Sequence, residues 1–368
     1  MVRDDGYVVR NDEFEGYFHM KKIDLRNFSL AELEEFALAL GLQKYRGRQL
    51  FHWVYGKRVD SLEMMTDLSK ESRELLSEKA CISELLDIRR QVSSDGTEKF
   101  LFKLEDGHSV ESVLIPEEDR LTLCISTQVG CGMGCTFCLT GKGGLARNLK
   151  SSEIVNQVLQ VQKGLPERKV ITNIVIMGMG EPLSNFNNVI KAIEILKHPL
   201  GPAIGARRIT LSTAGLVPGI RKLGECGLNI NLAISLNAST DEQRNLIMPI
   251  NKKYPLKKLL DACREFPLRK GRMLSFEYVL LEGINDSPED AIKVVKLLKG
   301  MCCKINLIPF NEFPGAPYKR PSEESVLKFQ EILTNHNYTV FIRKSRGRDI
   351  LAACGQLREN INLPFGQE

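Results

Sequence analysis

Three cysteines with the spacing C-x3-C-x2-C are the residues of this sequence that point most directly to chemistry. Cys131, Cys135 and Cys138 lie in CGMGCTFC, just after LTLCIST, whose apolar residues predict a β-strand. Thiolates bind zinc, Cu(I) and iron-sulfur clusters, and the glycines between them let a loop wrap around a bulky inorganic core. A structural zinc site closes with four ligands, usually from CxxC pairs, and no second CxxC follows. The pattern therefore favours a four-iron cluster with one open iron over a zinc knuckle or three core cysteines.

The elements around this loop predict an α/β fold with a parallel sheet. From residue 120 onward, short apolar strands alternate with helical stretches. The strands are predicted in LTLCIST, ITNIVIMG, RRITLST, NINLAISL, MLSFEYVLL, KINLIPF and YTVFIRK. The stretch is shorter than the ~250 residues of a closed eight-unit barrel, which predicts a partial barrel of about six units plus an added strand. In such a barrel the chemistry lies at the carboxyl ends of the strands.

The segments before the barrel have other patterns. Ser29 and Glu32 match a helix capping box, and the helical periodicity that follows predicts a small bundle. Further on, apolar residues alternate around an Asp95-Gly96 turn signal and predict a β-hairpin. The sequence thus predicts four parts: a loosely ordered arm over residues 1–23, a helical accessory domain over 24–81, a β-hairpin linker over 82–119 and the barrel over 120–368.

The composition is that of an ordinary globular protein. Hydrophobic residues make up 43% and charged residues 26% of the 368 residues, and no apolar run approaches the ~18 residues of a membrane span. The stretch MVRDDGYVVRNDEFEGYF has no continuous apolar segment, which predicts neither a signal nor a transit peptide, no membrane partner and a cytoplasmic location. Ten cysteines in such a chain indicate reduced thiols, and the net charge of +5 permits a polyanionic partner without requiring one.

Small and polar residues follow several of the predicted strands. Gly180 and Glu181 end the second strand in MGMGEP, where a glycine allows close backbone approach and a carboxylate accepts hydrogen bonds from an ammonium group. Further candidates at strand ends are Ser212, Ser235, Leu236, Asn237 and Asn311. Taken singly, each is more often a turn residue or a strand cap than part of a binding site. Their regular placement after strands favours a binding site.

The cysteine spacing resembles the signature of the radical S-adenosylmethionine (SAM) enzymes. Longer segments resemble one family among them, the RlmN/Cfr RNA adenine methyltransferases: CISTQVGCGMGCTFCLTGKGGLARNL, GMGEPLSN, SLNAS, MPINKKYPL and RGRDILAACGQL. These matches extend over the whole barrel, and residues 25–80 resemble the family's RNA-binding accessory domain. The resemblance implies a partial (β/α)6 radical SAM barrel that binds a 4Fe-4S cluster through Cys131, Cys135 and Cys138. It implies that SAM binds to the strand-end candidates named above.

The resemblance also implies roles for three residues outside the cysteine loop. Cys354, in DILAACGQL, matches the cysteine that carries the methyl group taken from one SAM before a second SAM activates it. Cys124, in LTLCIST, matches the thiol that attacks the Cys354 sulfur to release the product, leaving a disulfide. Glu111, in SVESVLIP, matches the base that takes the proton, and its place beside Val113 and Ile115 on one strand face predicts a raised pKa. Without the resemblance, these residues would be two core cysteines and an edge-strand glutamate.

The reaction that the resemblance implies is methylation of adenine C2, in 23S rRNA at the peptidyl-transferase centre and in the anticodon-adjacent adenine of some tRNAs. Because C2 is electron-poor and SAM delivers an electrophilic methyl group, polar transfer fails and a radical route is needed. The implied partners are 23S rRNA, tRNA and a cellular one-electron donor such as flavodoxin, and the protein is predicted to be a monomer. Basic clusters that suit RNA are Lys44/Arg46/Arg48 with the aromatic residues that follow them, Arg207/Arg208, Lys252/Lys253 and Arg343/Lys344/Arg346/Arg348.

Two other functions stay open on the sequence alone. The Cfr branch of the family, which methylates adenine C8, shares every residue argued above, although GEPLSN and RGRDI favour the RlmN branch. A noncatalytic RNA-binding protein would use the same cysteines as a structural metal knuckle. The colour of anaerobically purified protein tests the second alternative, and the isomer of methyladenosine formed in RNA tests the first.

Overall fold

The structure, a computed structural model, describes residues 22–358. The arm predicted over residues 1–23 lies almost wholly outside the described residues. Two compact units make up the chain: one contains the residues up to Glu84 together with His198–Pro202, and the other contains Leu85–Lys197 and the chain from Ala203 onward. No helix among residues 22–358 is both long and apolar enough to cross a bilayer.

The first unit is helical, as its sequence pattern predicts. Its elements are β1 (Ile23–Asp24), α1 (Leu30–Ala39), α2 (Tyr45–Phe51), α3 (Lys70–Lys79) and β2 (Ala80–Cys81), with short 3-10 turns at Leu25–Asn27 and Leu62–Met64 and a π-helical turn at His52–Gly56. The predicted capping box is confirmed: Glu32 N donates to Ser29 Oγ at 3.3 Å, and Ser29 N donates to Glu32 Oε2 at 2.7 Å. These bonds satisfy two main-chain donors at the start of α1.

The second unit is built on one large sheet. Its strands are β3 (Leu86–Val92), β4 (Glu98–Lys103), β5 (Ser109–Glu117), β6 (Arg120–Cys124), β7 (Gln128–Gly130), β8 (Leu145–Asn148), β9 (Asn173–Ile176), β10 (Ile209–Thr213), β11 (Asn231–Ser235), β12 (Leu274–Leu280), β13 (Cys303–Pro309) and β14 (Thr339–Ile342). Its helices are α4 (Leu139–Lys142), α5 (Ser151–Lys163), α6 (Phe186–Lys197), α7 (Val217–Glu225), α8 (Asp241–Ile247), α9 (Leu256–Glu265), α10 (Pro288–Leu297) and α11 (Glu323–Asn335).

Ten strands of the described chain form this sheet, in the order β14-β13-β12-β11-β10-β9-β6-β5-β4-β3. The seven strands from β14 to β6 are parallel, and β5, β4 and β3 continue the sheet antiparallel. The predicted partial barrel of about six units plus an added strand is thereby confirmed. All seven parallel strands point their carboxyl ends to one edge, where the predicted site residues lie.

The segment predicted as a β-hairpin linker, residues 82–119, is more than a linker. Its three strands belong to the same sheet as the barrel, since β5 pairs with β6 and places Val113 opposite Cys124. β5 is buried continuously from Ser109 to Leu114, so both of its faces are covered. Alternation in the sequence identifies the strands but cannot show that the sheet continues, because pairing with β6 is a long-range contact. The other domain boundaries stay a prediction.

Candidate active site

The cysteine loop is held at both of its ends. β7 and β8 form an antiparallel ribbon around it, and Cys131 N donates to Gly144 O at 2.7 Å. Within the loop, Cys138 N donates to Cys135 O at 3.1 Å. Thr136 N donates to the carbonyl at the end of α8 at 3.0 Å, which fixes the middle of the loop. The three cysteines thus lie on a loop with a defined backbone at the carboxyl end of β6 and β7.

The cysteine thiols fit a soft, cationic metal centre. Burial raises the pKa of Cys135, and the neighbouring Cys138 and Cys131 raise it further, so a cation is needed to hold Cys135 as a thiolate. Burial also raises the pKa of Cys131 to about 11. Among residues 22–358, no three His, Cys, Asp or Glu side chains surround one point as the ligands of a single ion do. Ligands of a multi-iron cluster stand farther apart, and three thiols on one loop suit such a cluster.

Gly180 and Glu181 lie between β9 and β10, and the structure explains both residue types. Gly180 has φ +106°, and a Cβ there would lie 2.6 Å from Gln128 Cβ. Glu181 is buried, and its carboxylate accepts hydrogen bonds from Leu183 N at 3.1 Å, Thr213 Oγ1 at 2.7 Å and Ala214 N at 2.7 Å. Burial raises the pKa of Glu181, and the bonds from Ala214 and Thr213 lower it. These hydrogen bonds to Glu181 hold the end of β10 in place. The Glu181 Oε2 atom accepts one of them and can accept a second hydrogen bond from a ligand.

The candidates after β10 and β11 divide into two kinds. Ser212 and Ser235 are half-buried at their strand ends, where they can reach a ligand. Asn237 is buried: its Oδ1 accepts from Val279 N at 2.8 Å and its Nδ2 donates to Met248 Sδ at 3.3 Å. Asn237 also has φ +56°, a conformation that asparagine tolerates better than most residues. The Asn237 side chain is thus committed to the fold, and its main chain is bonded as well, since its N donates to Glu277 O at 3.4 Å and its O accepts from Asn285 Nδ2 at 2.7 Å.

Arg244 is a residue of this site that the sequence does not reveal. It is fully buried on α8 and donates from Nε to Leu236 O at 3.0 Å and from Nη2 to Ser235 O at 2.9 Å and Ala214 O at 2.7 Å. Its Nη1 donates to Asn251 Oδ1 at 3.0 Å. Burial lowers its pKa to about 10. One guanidinium thus joins the ends of β10 and β11, whereas an arginine on a short helix ordinarily predicts a solvated face.

The Cys354 segment is hydrogen-bonded to the cysteine loop. Leu139 N, directly after Cys138, donates to Gly355 O at 2.7 Å, and the hydroxyl of the next residue in α4 donates to Leu357 O at 2.6 Å. Asn311 Nδ2 donates to Cys354 O at 3.2 Å. The Oδ1 atom of Asn311 is buried and has no hydrogen-bond partner among residues 22–358, so it is an acceptor available to a ligand such as SAM.

One face of the sheet carries the predicted base and the predicted resolving thiol together. Lys99 and Cys124 both pair with Val113 on β5, from opposite sides, and residues that pair directly share a face. Glu111 is two residues from Val113 and lies on the same face. Sequence alternation predicts this face for Glu111, but only the register of β4 and β6 brings Lys99 and Cys124 beside it.

The two thiols of the proposed chemistry are neighbours. Burial raises the pKa of Cys124 to about 12, and the Cys354 thiol beside it adds to the shift. The Cys354 side chain reaches solvent, while desolvation by the surrounding protein raises the pKa of its thiol and Arg343 lowers it. Cys354 thus lies between the cysteine loop and Cys124.

The basic and aromatic residues of the helical unit are largely used by the fold. Trp53 and Tyr55 are buried, so these rings stabilise the core and are not open to stacking with RNA bases. Arg46 donates to Gln49 Oε1 at 2.8 Å and lies 4.9 Å from the ring centre of Tyr45. Tyr45 is 52% exposed, so its ring is one that RNA can reach in this stretch.

Replacing Gly355 with alanine tests the contact between the two segments. Gly355 has φ +85°, and a Cβ there would lie 3.4 Å from Phe137 O and 4.0 Å from Cys138 Cα. Gly107 is a matched control, because it has φ +88° with open space around it. Both substitutions are expected to cost about 1 kcal/mol of folding free energy through backbone strain, measured by denaturant unfolding. Only Gly355→Ala is expected to slow RNA methylation, because its backbone strain falls where the segment is bonded to the cysteine loop, and equal rates in both variants would show that this contact does not matter for activity.

Comparisons with known proteins agree with this geometry. Residues 125–295 match the model of the radical SAM superfamily, and residues 23–82 match the ribosomal RNA large subunit methyltransferase N-terminal domain. Over 92% of its length the chain is 55% identical to the dual-specificity RNA methyltransferase RlmN of Syntrophus aciditrophicus, covering 97% of that protein. The RlmN of Geobacter sulfurreducens is 54% identical over 92% of this chain and 93% of its own. A radical SAM methyltransferase from Sphaerobacter thermophilus, known from its crystal structure, superposes with a TM-score of 0.86 at 44% identity, over 91% of this chain and 99% of that one.

The fold and the cysteine loop define an enzyme of the radical SAM superfamily, which uses a 4Fe-4S cluster and SAM. Within this superfamily, the sequence identity of 55% and 54% to the two RlmN proteins, over 92% of this chain, assigns the chain to one family. The chain belongs to the RlmN family of dual-specificity RNA methyltransferases, and the resemblance seen in the sequence is confirmed.

Proposed function

We propose that this protein methylates C2 of adenine in 23S rRNA at the peptidyl-transferase centre and in the anticodon-adjacent adenine of some tRNAs. Membership of the RlmN family supports the RNA substrates, since its relatives are named dual-specificity RNA methyltransferases. The observation that carries the proposal is the placement of Cys354. It sits between the cysteine loop and Cys124, joined to the loop through the bond from Leu139 N to Gly355 O.

The proposed cofactor sites follow from the residues described above. Cys131, Cys135 and Cys138 hold the cluster, and SAM contacts Gly180, Glu181, Ser212, Asn311 and the stretch Ser235 to Asn237. When bound, the cluster and SAM together supply the one-electron chemistry that makes the methyl carbon reactive toward an electron-poor ring carbon. The protein's own part is to carry that methyl group on Cys354 and to position the adenine against it.

Cys124 completes the reaction in this proposal. After the methyl-derived carbon is bonded to adenine, its bond to the Cys354 sulfur must break. The Cys124 thiol gives up its proton as its sulfur attacks the Cys354 sulfur, an S–S bond forms, and the electron pair of the S–C bond goes to the carbon, which takes up a proton. The two cysteines are oxidised to a disulfide while the carbon is reduced to a methyl group. A cellular thiol then reduces the disulfide for the next turnover.

Glu111 is the proposed base for the C2 proton, and its substitution by glutamine is expected to slow RNA methylation by about 10²–10⁴-fold. Burial raises the pKa of Glu111, and Lys99 lowers it. A base must be deprotonated to accept a proton. As the pH is lowered, the wild-type rate is therefore expected to fall at a higher pH than the pKa of an ordinary glutamate would give. Glu117→Gln, on the exposed end of the same strand, is the control. A Glu111→Gln enzyme with an unchanged rate and pH profile would remove Glu111 from the mechanism.

Identification of the product tests the proposed function as a whole. RNA methylated by the anaerobic, brown enzyme is digested to nucleosides, and the methyladenosine isomer is identified by mass spectrometry against standards. The proposal expects 2-methyladenosine from both rRNA and tRNA. With 8-methyladenosine as the sole product, the enzyme would instead act like the Cfr branch. A colourless protein that never cleaves SAM would support the noncatalytic alternative.

The remaining partners are part of the same proposal. The cluster needs one electron at a time from a cellular donor such as flavodoxin, and the enzyme acts as a monomer in the cytoplasm. Reduction of the cluster by purified flavodoxin, followed by its absorbance, tests the donor. Light scattering of the loaded enzyme tests the oligomeric state.

A further inference from the structure

A buried ion pair lies beside the proposed base. Lys99 Nζ is 3.0 Å from Glu111 Oε1, and the two residues are 5% and 7% exposed. The side chain of Lys99 is on the same face of β4 as those of Leu101 and Lys103. Leu101 is the residue that pairs directly with Glu111, so Lys99 reaches Glu111 diagonally from β4 to β5. Burying an ion pair costs desolvation free energy, so the pair is weak evidence of stabilisation by itself. Its presence therefore indicates a further role.

The same ion pair is bonded to both ends of the segment that carries Cys354. Lys99 Nζ donates to Leu351 O at 3.4 Å, three residues before Cys354. Arg358 N donates to Glu111 Oε2 at 3.0 Å, four residues after Cys354. Each member of the pair therefore holds one side of the methyl-carrying segment. These two bonds join a sheet of fixed register to a segment that has few regular elements of its own.

We propose that Lys99 is a positioning residue and that the Lys99–Glu111 ion pair clamps the Cys354 segment until Glu111 takes the C2 proton. The inference rests on the proposed function, since it assigns a consequence to the proton that Glu111 accepts. When the C2–H bond breaks, the proton goes to a Glu111 oxygen and the electron pair stays on the base. The carboxyl group is then neutral, and its bonds to Lys99 and to Arg358 N lose the charge that strengthens them. The segment loosens at the stage when Cys124 must reach the Cys354 sulfur.

Few other groups among residues 22–358 act on this carboxylate. Lys99 is the charged group that faces it from β4, and the main-chain amide of Arg358 faces it from the C-terminal segment. From the loop after β6, the Ser126 hydroxyl donates to the Glu111 main-chain carbonyl at 2.6 Å, not to the carboxylate. The charge state of Glu111 is thus coupled chiefly to Lys99.

Hydrogen exchange of the loaded, RNA-free enzyme tests the clamp without relying on activity. In Lys99→Met, amides of residues 351–358 are expected to exchange about tenfold faster than in the wild type at neutral pH. Lys99→Arg keeps the charge and is expected to restore protection. Lys103→Met, an exposed lysine of the same strand, is the matched control and is expected to change nothing. Glu111→Gln imitates the protonated base and is expected to loosen the segment at every pH, whereas the wild type loosens only on acidification.

Two steps of the reaction, measured separately, distinguish the clamp role of Lys99 from the base role of Glu111. Transfer of the methyl group to Cys354 releases the proton of its thiol but does not use Glu111 in the proposed reaction, so its pH profile is expected to stay unchanged in Lys99→Met. The acid limb of RNA methylation is expected to move to higher pH, because Glu111 loses the cation that keeps it charged. Exchange in Lys99→Met that equals exchange in Lys103→Met would overturn the clamp. Undiminished RNA methylation by Glu111→Gln would overturn the base role instead, and the exchange data would still decide the clamp.

Discussion

Cys354→Ala is expected to abolish RNA methylation while the iron-sulfur site stays intact. In the proposed reaction the methyl group is bonded to the Cys354 sulfur before it reaches RNA, and alanine has no atom that can carry it. The main-chain bonds from Leu139 N to Gly355 O and from Asn311 to Cys354 O do not involve the thiol, so the segment is expected to keep its place. With labelled SAM, both the RNA and the protein are expected to remain unlabelled.

The control for Cys354→Ala is another exposed cysteine. Cys302 is exposed and immediately precedes β13, so it lies at the amino end of the parallel strands, away from the proposed site. Cys302→Ala is expected to methylate RNA at the wild-type rate. Iron content and the absorbance of the cluster should be the same in both variants. Methylation of RNA by Cys354→Ala above the background of the assay would contradict the carrier role.

Local patterns in the sequence are sufficient to predict most of the fold. The seven parallel strands have short apolar runs, and each stretch between them has a helical period or a strand-ending turn, which favours a parallel sheet with crossovers. The capping box at Ser29 predicts the start of α1 because both of its hydrogen bonds are local. The role of residues 82–119 was less predictable, since the pairing of β5 with β6 depends on register.

The proposed site shows the same division between local and long-range information. The cysteine spacing is local, and it predicts the metal-binding loop without knowledge of the fold. Lys99 and Arg244 are buried cations whose partners lie outside their own strand or helix, and a charged residue ordinarily predicts a solvated face. In EKFLFK the apolar row is formed by Phe100 and Phe102, so alternation assigns Lys99 to the polar row, and only the structure shows that Lys99 is buried beside Glu111.

The family resemblance and the structure differ on which strand-end side chains are available to bind SAM. The resemblance implies that Glu181 and Asn237 contact SAM, and the structure gives both side chains several bonds within the protein. Asn311 is the opposite case, because a buried oxygen without a partner indicates a ligand more directly than the sequence can. A position at a strand end thus predicts proximity to a ligand, while the hydrogen bonds decide which atoms are free to bind it.

Cys124→Ala is expected to accumulate protein covalently joined to RNA. The substitution removes the thiol that attacks the Cys354 sulfur, so the bond between that sulfur and the methyl-derived carbon has no partner to break it. Cys124 is half-buried on β6 in the row of Lys99 and Val113, and Cys354 lies close enough to raise its pKa. Loading of Cys354 and bonding to adenine do not use Cys124 and are expected to proceed. Denaturing gel electrophoresis with labelled RNA measures the adduct.

Control variants and a thiol reductant test whether the adduct is a thioether through the Cys354 sulfur. Cys263→Ala removes a buried cysteine of α9 and is expected to release methylated RNA normally. The double variant that lacks both Cys124 and Cys354 is expected to form no adduct, because the linkage passes through the Cys354 sulfur. A thioether withstands thiol reductants, whereas a disulfide does not, so the adduct must survive excess dithiothreitol. Free, fully methylated RNA from Cys124→Ala would show that another group breaks the S–C bond, and an adduct lost on reduction would show that the trapped bond is not the thioether.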